Sequence, residues 1–403
     1  MSRKKIFNDP VYGFISIPRG LILDIVDHPY FQRLRRISQL GFTYLVYPGA
    51  LHTRFHHALG AFHLMTETID VLRSKGVEIT DAEAQGVSIA ILLHDIGHGP
   101  FSHALEHGLV DLHHEDLSTL FMKELNVVFD GQLDLAIEIF TNQYPKKFLY
   151  QLVSGQLDMD RMDYLNRDSF FTGVYEGVIG YDRIIKMLDV KDGQLVVEEK
   201  GIYSIEKFLV ARRLMYWQVY LHKTCLGAEQ MLIHALKRAK ALSIVGKSLN
   251  VSKNLAFFID QKINLSDFSQ KKLLDNFSRL DDVDILAALK SFTENKDLIL
   301  SYLATSILNR NLFKTELKRL PFSSDYLAKM RQKVANQFKV NSDDLNYLFY
   351  HGSEANNAYN TENEEINILF RNGKTLPISS LPDNEIPTKI ITKHFLCYPK
   401  KIN

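Results

Sequence analysis

Histidine is concentrated in one short stretch of this 403-residue sequence, where ten of the fifteen histidines lie between residues 52 and 114. Within that stretch, HDIGHGPFSH (94–103) directly follows the apolar run VSIAILL (87–93), which is typical of a buried helix. A His-Asp pair at the end of such a helix is costly unless its charge is compensated. His94 and Asp95 are therefore either metal ligands or a buried, hydrogen-bonded pair with a structural role.

Two other segments carry side chains of the same kinds. TRFHHALGAFHL (53–64) supplies further histidines at helical spacing, and SGQLDMDRMDYLNRDS (154–169) supplies four aspartates with few apolar positions between them. Imidazole and carboxylate groups from three segments are the donors of a mixed nitrogen and oxygen site for Fe, Mn, Zn or a similar ion. The three segments together therefore favour the metal interpretation.

The elements that must position these groups are predicted to be mainly helices. Apolar residues recur at helical spacing through most of the first 310 residues, for example in 204–222 and 227–242. One stretch differs: in KMLDVKDGQLVVEE (186–199), Asp192 and Gly193 separate two short apolar runs. Because Asp-Gly favours type I′ turns, this stretch predicts a small antiparallel hairpin inserted in the helical body.

The character of the sequence changes near residue 315, where prolines become frequent and strand-like runs appear. Short apolar runs at 368–370 and 389–392 predict strands, and the Asn/Glu-rich stretch 353–365 predicts a loop. We therefore expect a mainly α fold with two parts: a helical domain over residues 1–315, with its core site in 50–170, and a small α+β lobe over 316–403.

Composition excludes several classes of protein. Lys and Arg number 48 against 47 Asp and Glu, so the net charge of +1 argues against a surface built throughout for nucleic acid. The two cysteines, Cys225 and Cys397, suggest neither a disulfide framework nor a thiolate zinc site. Neither a signal-peptide core nor a run of about 18 apolar residues is present, which predicts a cytoplasmic protein that does not cross a membrane. Phosphate loops, dinucleotide-binding motifs and serine nucleophile elbows are also missing from the sequence.

A string of motifs resembles one known family. The set H…HD…D is similar to that of the HD-domain metal-dependent phosphohydrolases, and longer matches over at least residues 5–225 resemble their deoxynucleotide triphosphohydrolase branch. These matches are NDPVYG (8–13), FQRLRRISQLG (31–41), YPGALHTRFHHALG (47–60), LLHDIGHGPFSHALE (92–106), HEDLS (114–118) and LDMDRMDYLNRD (157–168). The resemblance implies an HD-domain helical core and hydrolysis of a dNTP to a deoxynucleoside and inorganic triphosphate.

The resemblance also implies roles for individual residues in the metal site. It suggests that the ligands of a divalent metal (Fe, Mn, Zn or Mg) are His57, His94, Asp95 and Asp160. His56 is the competing choice for the first ligand, and the pattern RF-x-H favours His57. Three further histidines would act as catalytic groups toward the phosphates and the leaving group: His98, His103 and His114. An uncoordinated imidazole suits this task because its ordinary pKa is about 6.5.

A second set of residues is implied to bind the substrate. Residues 211–223 (ARRLMYWQVYLHK) predict one amphipathic helix, which by its residues alone could equally be a core helix with charged edges. The resemblance assigns substrate contacts to Gln39, Arg54, Arg161, Tyr164, Asp168, Arg212 and Tyr220. Arg161 stands where the vertebrate pattern has lysine, so charge is kept while the geometry of phosphate contact changes.

The resemblance extends to regulation and assembly. It implies a homo-oligomer, dimer or tetramer, with an activating GTP or dNTP bound between subunits by Lys5, Asp27, Gln32, Arg35, Arg310 and Lys314. Two alternatives stay open: another HD phosphohydrolase, such as a nucleotide monophosphatase or phosphodiesterase, and a nucleotide-sensing or nucleic-acid-binding oligomer with weak turnover. Basic residues near 237–240 and 314–319 could serve the latter.

Overall fold

The structure, a computed structural model, describes residues 4–101, 113–261, 263, 271–356, 359, 364–381 and 391–401. Helices dominate it and the strands form small sheets, which confirms the predicted mainly α class. In chain order, the helices that carry or frame the site are α1 (Leu21–Asp27), α2 (Pro29–Gln32), α3 (Arg54–Ser74), α4 (Asp81–Leu93), α5 (His114–Val128), α6 (Asp134–Phe140), α7 (Lys147–Ser154), α8 (Met159–Thr172), α9 (Tyr181–Met187), α10 (Ile202–Met215) and α11 (Lys223–Ile244). The remaining helices are α12 (Lys253–Ile259), α13 (Lys271–Phe277), α14 (Asp282–Phe292), α15 (Leu298–Leu308), α16 (Ser324–Phe338) and α17 (Ser342–Leu345).

The strands form three small sheets among the described residues. Strands β1 (Lys5–Asp9) and β2 (Gly13–Ile17) make an N-terminal antiparallel hairpin. A four-stranded sheet has the order β3 (Leu188–Lys191), β4 (Gln194–Glu198), β7 (Asn367–Leu369) and β8 (Thr375–Pro377). A three-stranded sheet has the order β5 (Lys314–Lys318), β9 (Ile391–Tyr398) and β6 (Tyr350–Asn356).

The predicted hairpin at 186–199 is confirmed, but it is not an isolated insertion. Asp192 and Gly193 adopt φ values of 52° and 74°, as a type I′ turn requires, and join β3 to β4. The second edge of β4 pairs in parallel with β7, about 170 residues further along the chain. Local sequence patterns carry no signal for such a pairing, because its partners are distant in the chain.

Three local predictions need correction. The stretch 353–365 was expected to be a loop, but β6 extends to residue 356 and pairs with β9. The single helix expected at 211–223 is interrupted: α10 ends at Met215, a π-helical turn spans Tyr216–Tyr220, and α11 begins at Lys223. The β1–β2 hairpin lies within a segment for which the sequence predicted no strands.

The core is built around the two helices that flank the histidine cluster. In α4 the run from Val87 to Leu93 is buried on all sides, and its N-terminus is closed by a capping box between Thr80 and Glu83. Helix α4 packs against α3, which in turn packs against α8. Apolar side chains of all these helices belong to one continuous cluster. The three segments that carry the candidate chemistry are therefore held together by a shared core.

Two of the predictions from composition concern membrane crossing and the cysteines. None of its described helices combines the length and apolar character needed to cross a membrane. Cys225 and Cys397 are both free and buried.

Candidate functional site

The candidate metal ligands lie at the ends of three helices, α3, α4 and α8, which meet at one point. His57 lies in the first turn of α3, which begins at Arg54, whereas α4 ends at the residue preceding His94. Asp158 is the N-cap of α8, where its side chain accepts the backbone N–H of Arg161 at 2.7 Å. That cap places Asp160 in the first turn of α8, so its carboxylate faces the two imidazoles.

Three of the four predicted ligands lie within contact of one another. His57 Nε2 is 3.1 Å from Asp160 Oδ1 and 3.3 Å from His94 Nε2, and His94 Nε2 is 3.5 Å from the same carboxylate oxygen. Within the described part of the chain, this trio forms the group whose donor atoms could hold one metal ion. The geometry favours His57 over His56, because His56 Nδ1 is engaged at the N-terminus of α3 by Thr53.

The second ring nitrogen of each histidine is already taken. His57 Nδ1 lies 2.7 Å from Asp163 Oδ2, and His94 Nδ1 lies 2.6 Å from the carbonyl oxygen of Ile91. Because these oxygens can only accept, each Nδ1 carries a proton, and Nε2 is the ring nitrogen through which each histidine can bind a metal ion. Two such nitrogens and a carboxylate oxygen fit a divalent ion of the Fe, Mn or Zn kind.

Asp95, the fourth predicted ligand, is shared with other partners. One of its oxygens accepts a hydrogen bond from Arg54, and the other is 3.2 Å from His98 Nε2. Its oxygens also lie 3.4 Å from His94 Nε2 and 3.8 Å from His57 Nε2. The carboxylate is thus adjacent to the trio, and its role as a ligand stays a prediction.

The site has an electrostatic character that suits a cation. Burial alone would lower the pKa of His57, but hydrogen bonds to Asp160 and Asp163 outweigh it and raise the pKa to about 10. Burial would raise the pKa of Asp160, yet the two imidazoles beside it hold that pKa far below its ordinary value. These groups stabilise positive charge at one point, where a metal ion can replace the shared protons.

The turn after α4 carries the predicted catalytic histidine His98. Its ring stacks on that of His114, the first residue of α5, with centroids 3.9 Å apart. Buried Arg33 holds the turn by donating to the carbonyl oxygens of Ile96 at 2.8 Å and His98 at 2.9 Å. Burial and the neighbouring Arg54 guanidinium keep the pKa of His98 well below its ordinary value. His103 lies outside the described residues.

A cavity of about 850 Å³ opens beside this cluster. Its volume is in the range of roughly 300–1,000 Å³ that is usual for small-molecule and cofactor sites. Predicted substrate residues along its wall are Gln39, Arg54, Arg161, Tyr164, Asp168 and Tyr220. The wall also includes Glu354 and Ala355 of β6, so the C-terminal part of the chain contributes to it.

Hydrogen-bonding groups gather at one part of this wall. Tyr220 donates its hydroxyl to Asp168 Oδ2 at 2.8 Å, and buried His52 contacts the other oxygen of that carboxylate at 2.7 Å. The π-helical turn brings the rings of Tyr216 and Tyr220 edge to face, 5.4 Å apart. The buried Oε1 of Gln39 has no hydrogen-bond partner among the described residues, so it can accept a bond from a ligand.

Two of the three arginines that were predicted to contact the substrate, Arg161 and Arg212, differ in their position relative to the cavity. Arg161 lines the cavity and forms an ion pair with Asp158. Arg212 is buried and donates to Gln156 Oε1 at 3.1 Å, and it does not belong to the described residues that form the wall. The structure thus brings Arg161 to the cavity, whereas Arg212 is not among the described residues of its wall.

The residues predicted to form a regulatory site fall into two groups. Gln32 and Arg35 lie together, since Arg35 Nε donates to Gln32 Oε1 at 2.8 Å. Gln32 in turn donates to the carbonyl oxygen of Val26, the residue before exposed Asp27. Lys5 is exposed on β1. In the second group, exposed Arg310 donates to the carbonyl oxygen of Leu45, and Lys314 begins β5.

One of the basic clusters considered for nucleic acid is already engaged. Arg238 binds Asp297 at 2.6 Å and Asp344 at 2.7 Å through its terminal nitrogens. In the other cluster, Lys314 and Lys318 lie on either side of Glu316, at 3.9 Å and 3.8 Å. These ion pairs reduce the positive charge that each cluster offers to a phosphate backbone.

Some residues of the site were not singled out by the sequence. Asp163 was noted only as one of four aspartates, and neither Arg167 nor His52 was assigned a role in the site. The sequence did carry a signal for Asp163 and Arg167. Together with Asp160 they recur at a spacing of three to four residues, which places all three on one face of α8. His52 offered no such pattern, because it precedes α3.

Several known proteins resemble this chain in sequence or in structure. The family described as HD associated region matches residues 179–253. The whole chain is 34% identical to the uncharacterized protein YwfO of Bacillus subtilis and covers 94% of it. It is 32% identical to the deoxynucleoside triphosphate triphosphohydrolase SAMHD1 homolog of Dictyostelium discoideum, over 86% of this chain and 69% of that protein. A crystal structure of a phosphohydrolase from Bacteroides thetaiotaomicron matches with a TM-score of 0.94 and 51% identity, covering 98% of this chain and 100% of that one.

Proposed function

Because this chain belongs to the HD-domain phosphohydrolase family that includes deoxynucleoside triphosphate triphosphohydrolases, we propose that it hydrolyses dNTPs to a deoxynucleoside and inorganic triphosphate. One observation carries the proposal. One cavity has His94 and Asp160 of the candidate metal trio in its wall, with His57 buried against them, and the hydrogen-bonded pair Asp168 and Tyr220 lines the same cavity. A dNTP presents the matching features, with phosphates that bind a metal and a sugar hydroxyl that hydrogen-bonds.

At the phosphate end, the chain's own residues provide charge and hydrogen bonds. His57, His94 and Asp160 would hold a divalent ion, with Asp95 beside them. Such an ion, when bound, polarises a phosphoryl oxygen and lowers the pKa of water. The neutral imidazole of His98 can donate a hydrogen bond to a phosphoryl oxygen, and His114, stacked on it, can pass a proton to the departing 5′ oxygen.

At the sugar end, geometry favours recognition of a deoxyribose. The Asp168 carboxylate is held by Tyr220 and His52, so its direction is set before a ligand arrives. It can accept a hydrogen bond from a 3′-hydroxyl, as can Gln39 Oε1. The rings of Tyr164 and Tyr220 lie 5.9 Å apart, edge to face, and can press against the sugar where a 2′-hydroxyl would otherwise fit.

The reaction can be tested directly on the purified protein. Each dNTP and the corresponding ribonucleotide is incubated with protein and Mn²⁺, and products are separated by anion-exchange chromatography. We expect equal amounts of deoxynucleoside and triphosphate from dNTPs, and slower turnover of ribonucleotides. His94→Ala should abolish turnover, while His351→Ala, at an exposed position of β6, serves as the matched control with full activity.

Other outcomes distinguish the alternatives. Release of pyrophosphate or of monophosphate would refute cleavage at the α-phosphate and favour another HD phosphohydrolase. Salt-dependent binding of oligonucleotides without dNTP hydrolysis would favour a nucleic-acid-binding protein instead. Full activity in His94→Ala would remove the metal trio from the mechanism.

We further propose that the protein works as a homo-oligomer activated by GTP or a dNTP. The adjacency of Asp27, Gln32 and Arg35 supports this, because amide, guanidinium and carboxylate groups together suit the edge of a purine. Sedimentation measurements with and without GTP, alongside dNTP turnover, test the proposal. Unchanged mass and unchanged turnover after addition of GTP and of each dNTP would refute it.

A further inference from the structure

A continuous line of buried charged groups leads from the metal trio to the N-terminal hairpin. It begins at His57, whose Nδ1 contacts Asp163, and continues through Arg167 to Asp9 at the end of β1. The side chains of His57, Asp163 and Arg167 are completely buried, and that of Asp9 is 4% exposed. Buried charges of this kind are kept only where each has a partner of opposite charge.

Arg167 is the central link because it joins two carboxylates. Its Nε and Nη2 each donate to Asp163 at 2.9 Å, and its Nη1 donates to Asp9 Oδ2 at 2.7 Å. The planar guanidinium determines the orientation of the Asp163 carboxylate as well as its charge. That carboxylate then determines the orientation of the His57 ring, since His57 Nδ1 has Asp163 Oδ2 as its partner at 2.7 Å.

Asp9 connects the line to the turn of the hairpin. Its Oδ1 accepts the backbone N–H groups of Val11 and Tyr12, both at 2.9 Å, while its Oδ2 accepts from Arg167. The Tyr12 ring lies over the guanidinium at 5.5 Å and packs edge to face against Tyr181. The turn therefore covers Arg167 and keeps water away from it.

Gly60 of α3 provides the space that the Asp163 and Arg167 pair occupies. A Cβ atom at Gly60 would lie 2.0 Å from Asp163 Oδ1 and 2.2 Å from Arg167 Nη2. Real Cβ atoms essentially never come this close to other atoms. Glycine one turn after His57 thus allows the Asp163 and Arg167 pair to lie against the helix that carries the ligand.

From these contacts we infer that Asp9 and Arg167 are positioning residues for the metal ligand His57, so that the N-terminal hairpin is part of the frame of the metal centre. Without Arg167, two buried carboxylates would face each other without a cation, and Asp163 would lose the two hydrogen bonds that fix its orientation. A reoriented Asp163 no longer provides the acceptor that holds the Nδ1 proton of His57 and directs Nε2 toward the metal. The inference rests on the metal role of His57 in the proposed function.

The experiment measures metal affinity in the absence of any nucleotide. Mn²⁺ binding to the metal-stripped full-length protein is followed by calorimetry, and thermal unfolding of each protein is recorded in parallel. The variants are Arg167→Lys, which cannot bridge both carboxylates, and Asp9→Asn, whose amide oxygen can still accept the turn's N–H groups. Arg238→Lys is the matched control, because Arg238 also joins two carboxylates, Asp297 and Asp344, away from the metal trio.

We expect both Arg167→Lys and Asp9→Asn to weaken Mn²⁺ binding by roughly tenfold or more, as loss of partners behind metal ligands usually does. Arg238→Lys should lower the unfolding temperature and leave Mn²⁺ affinity unchanged. Folded variants of Arg167 and Asp9 that bind Mn²⁺ as tightly as the unmodified protein would overturn the inference. If Arg167→Lys does not fold, Asp9→Asn decides the outcome.

Two results separate this inference from the proposed function. Unmodified protein that binds neither Mn²⁺ nor Zn²⁺ would overturn the metal centre itself, and the positioning roles with it. Protein that binds Mn²⁺ and loses that affinity in Arg167→Lys and Asp9→Asn, yet hydrolyses no dNTP, would support the positioning roles and refute the substrate assignment.

Discussion

Gly97→Ala is expected to displace the turn that carries the candidate metal ligand His94 and the neighbouring His98, because the new methyl group has no space. A Cβ atom at this position would lie 2.3 Å from the carbonyl oxygen of His114 and 2.3 Å from the backbone nitrogen of Ser118. Both are backbone atoms of α5, so no side-chain rotation can relieve the overlap.

The size of the effect follows from these distances. Ordinary contacts of a Cβ atom begin at 3.4 Å, so the turn and the start of α5 would have to separate by ~1 Å. Overpacking of this kind typically costs about 1–3 kcal/mol of stability. A misplacement of ~1 Å at a reacting centre can reduce turnover on the order of 100-fold. The stack of His98 on His114, now at 3.9 Å, would open by a similar distance.

The assay compares kcat/KM for dNTP hydrolysis with thermal unfolding for three variants. Ser118→Ala removes the hydroxyl that accepts from Gly97 N–H at 2.9 Å and donates to the His94 carbonyl oxygen at 2.7 Å, without adding volume, so a smaller loss is expected. Gly180→Ala is the control, because a Cβ atom there meets nothing within 4 Å. Turnover of Gly97→Ala within threefold of the unmodified protein would refute this reasoning.

Three further changes have defined outcomes. Tyr220→Phe removes the hydroxyl that donates to Asp168, so kcat/KM for dNTPs should fall about fivefold to tenfold, in line with about 1 kcal/mol for one hydrogen bond, while exposed Tyr175→Phe has no effect. Chelation by EDTA should abolish turnover and lower the unfolding temperature, and added Mn²⁺ at 100 times its dissociation constant should restore about 2.7 kcal/mol; an unchanged melting curve would contradict the metal centre. Burial raises the pKa of Glu83, but hydrogen bonds with Lys146 and the cap of α4 outweigh it and lower the pKa to about 2. The stability from this carboxylate is therefore present above its ordinary pKa of 4.5 and lost as pH falls toward 2, so urea unfolding of Glu83→Gln should depend less on pH across this range.

Local patterns were sufficient to predict most of the helical framework. The apolar run before His94 is a buried helix, and the Asp-Gly pair at 192–193 forms the turn of a hairpin, because both depend on residues close together in the chain. The interruption at Tyr216–Tyr220 was missed, since a π-helical turn keeps nearly the same apolar spacing as an α-helix. The parallel pairing of β4 with β7 was also missed, because it joins distant segments.

The candidate site was likewise predicted only in part from local sequence patterns, and the rest depended on the folded structure. Residue types and spacing indicated the His94-Asp95 pair and two further segments rich in histidine or aspartate, and the family resemblance of the motifs selected His57 and Asp160 within those segments. Which of two adjacent histidines faces the metal site was decided by the N-terminus of α3, where His56 binds Thr53. The hydrogen bonds at the N-terminus of a helix thus distinguish two adjacent histidines that the sequence alone does not distinguish.

By itself, the sequence determined the mainly α class, the chemistry of the ligands and the helices that carry them, since these follow from side-chain type and short-range periodicity. Only the tertiary structure decided that Arg167 links Asp163 to Asp9, a residue 158 positions away in the chain, and that His52 supports Asp168. The physical reason is that a buried charge has to be compensated by whichever opposite charge the fold brings next to it, whatever its distance along the chain.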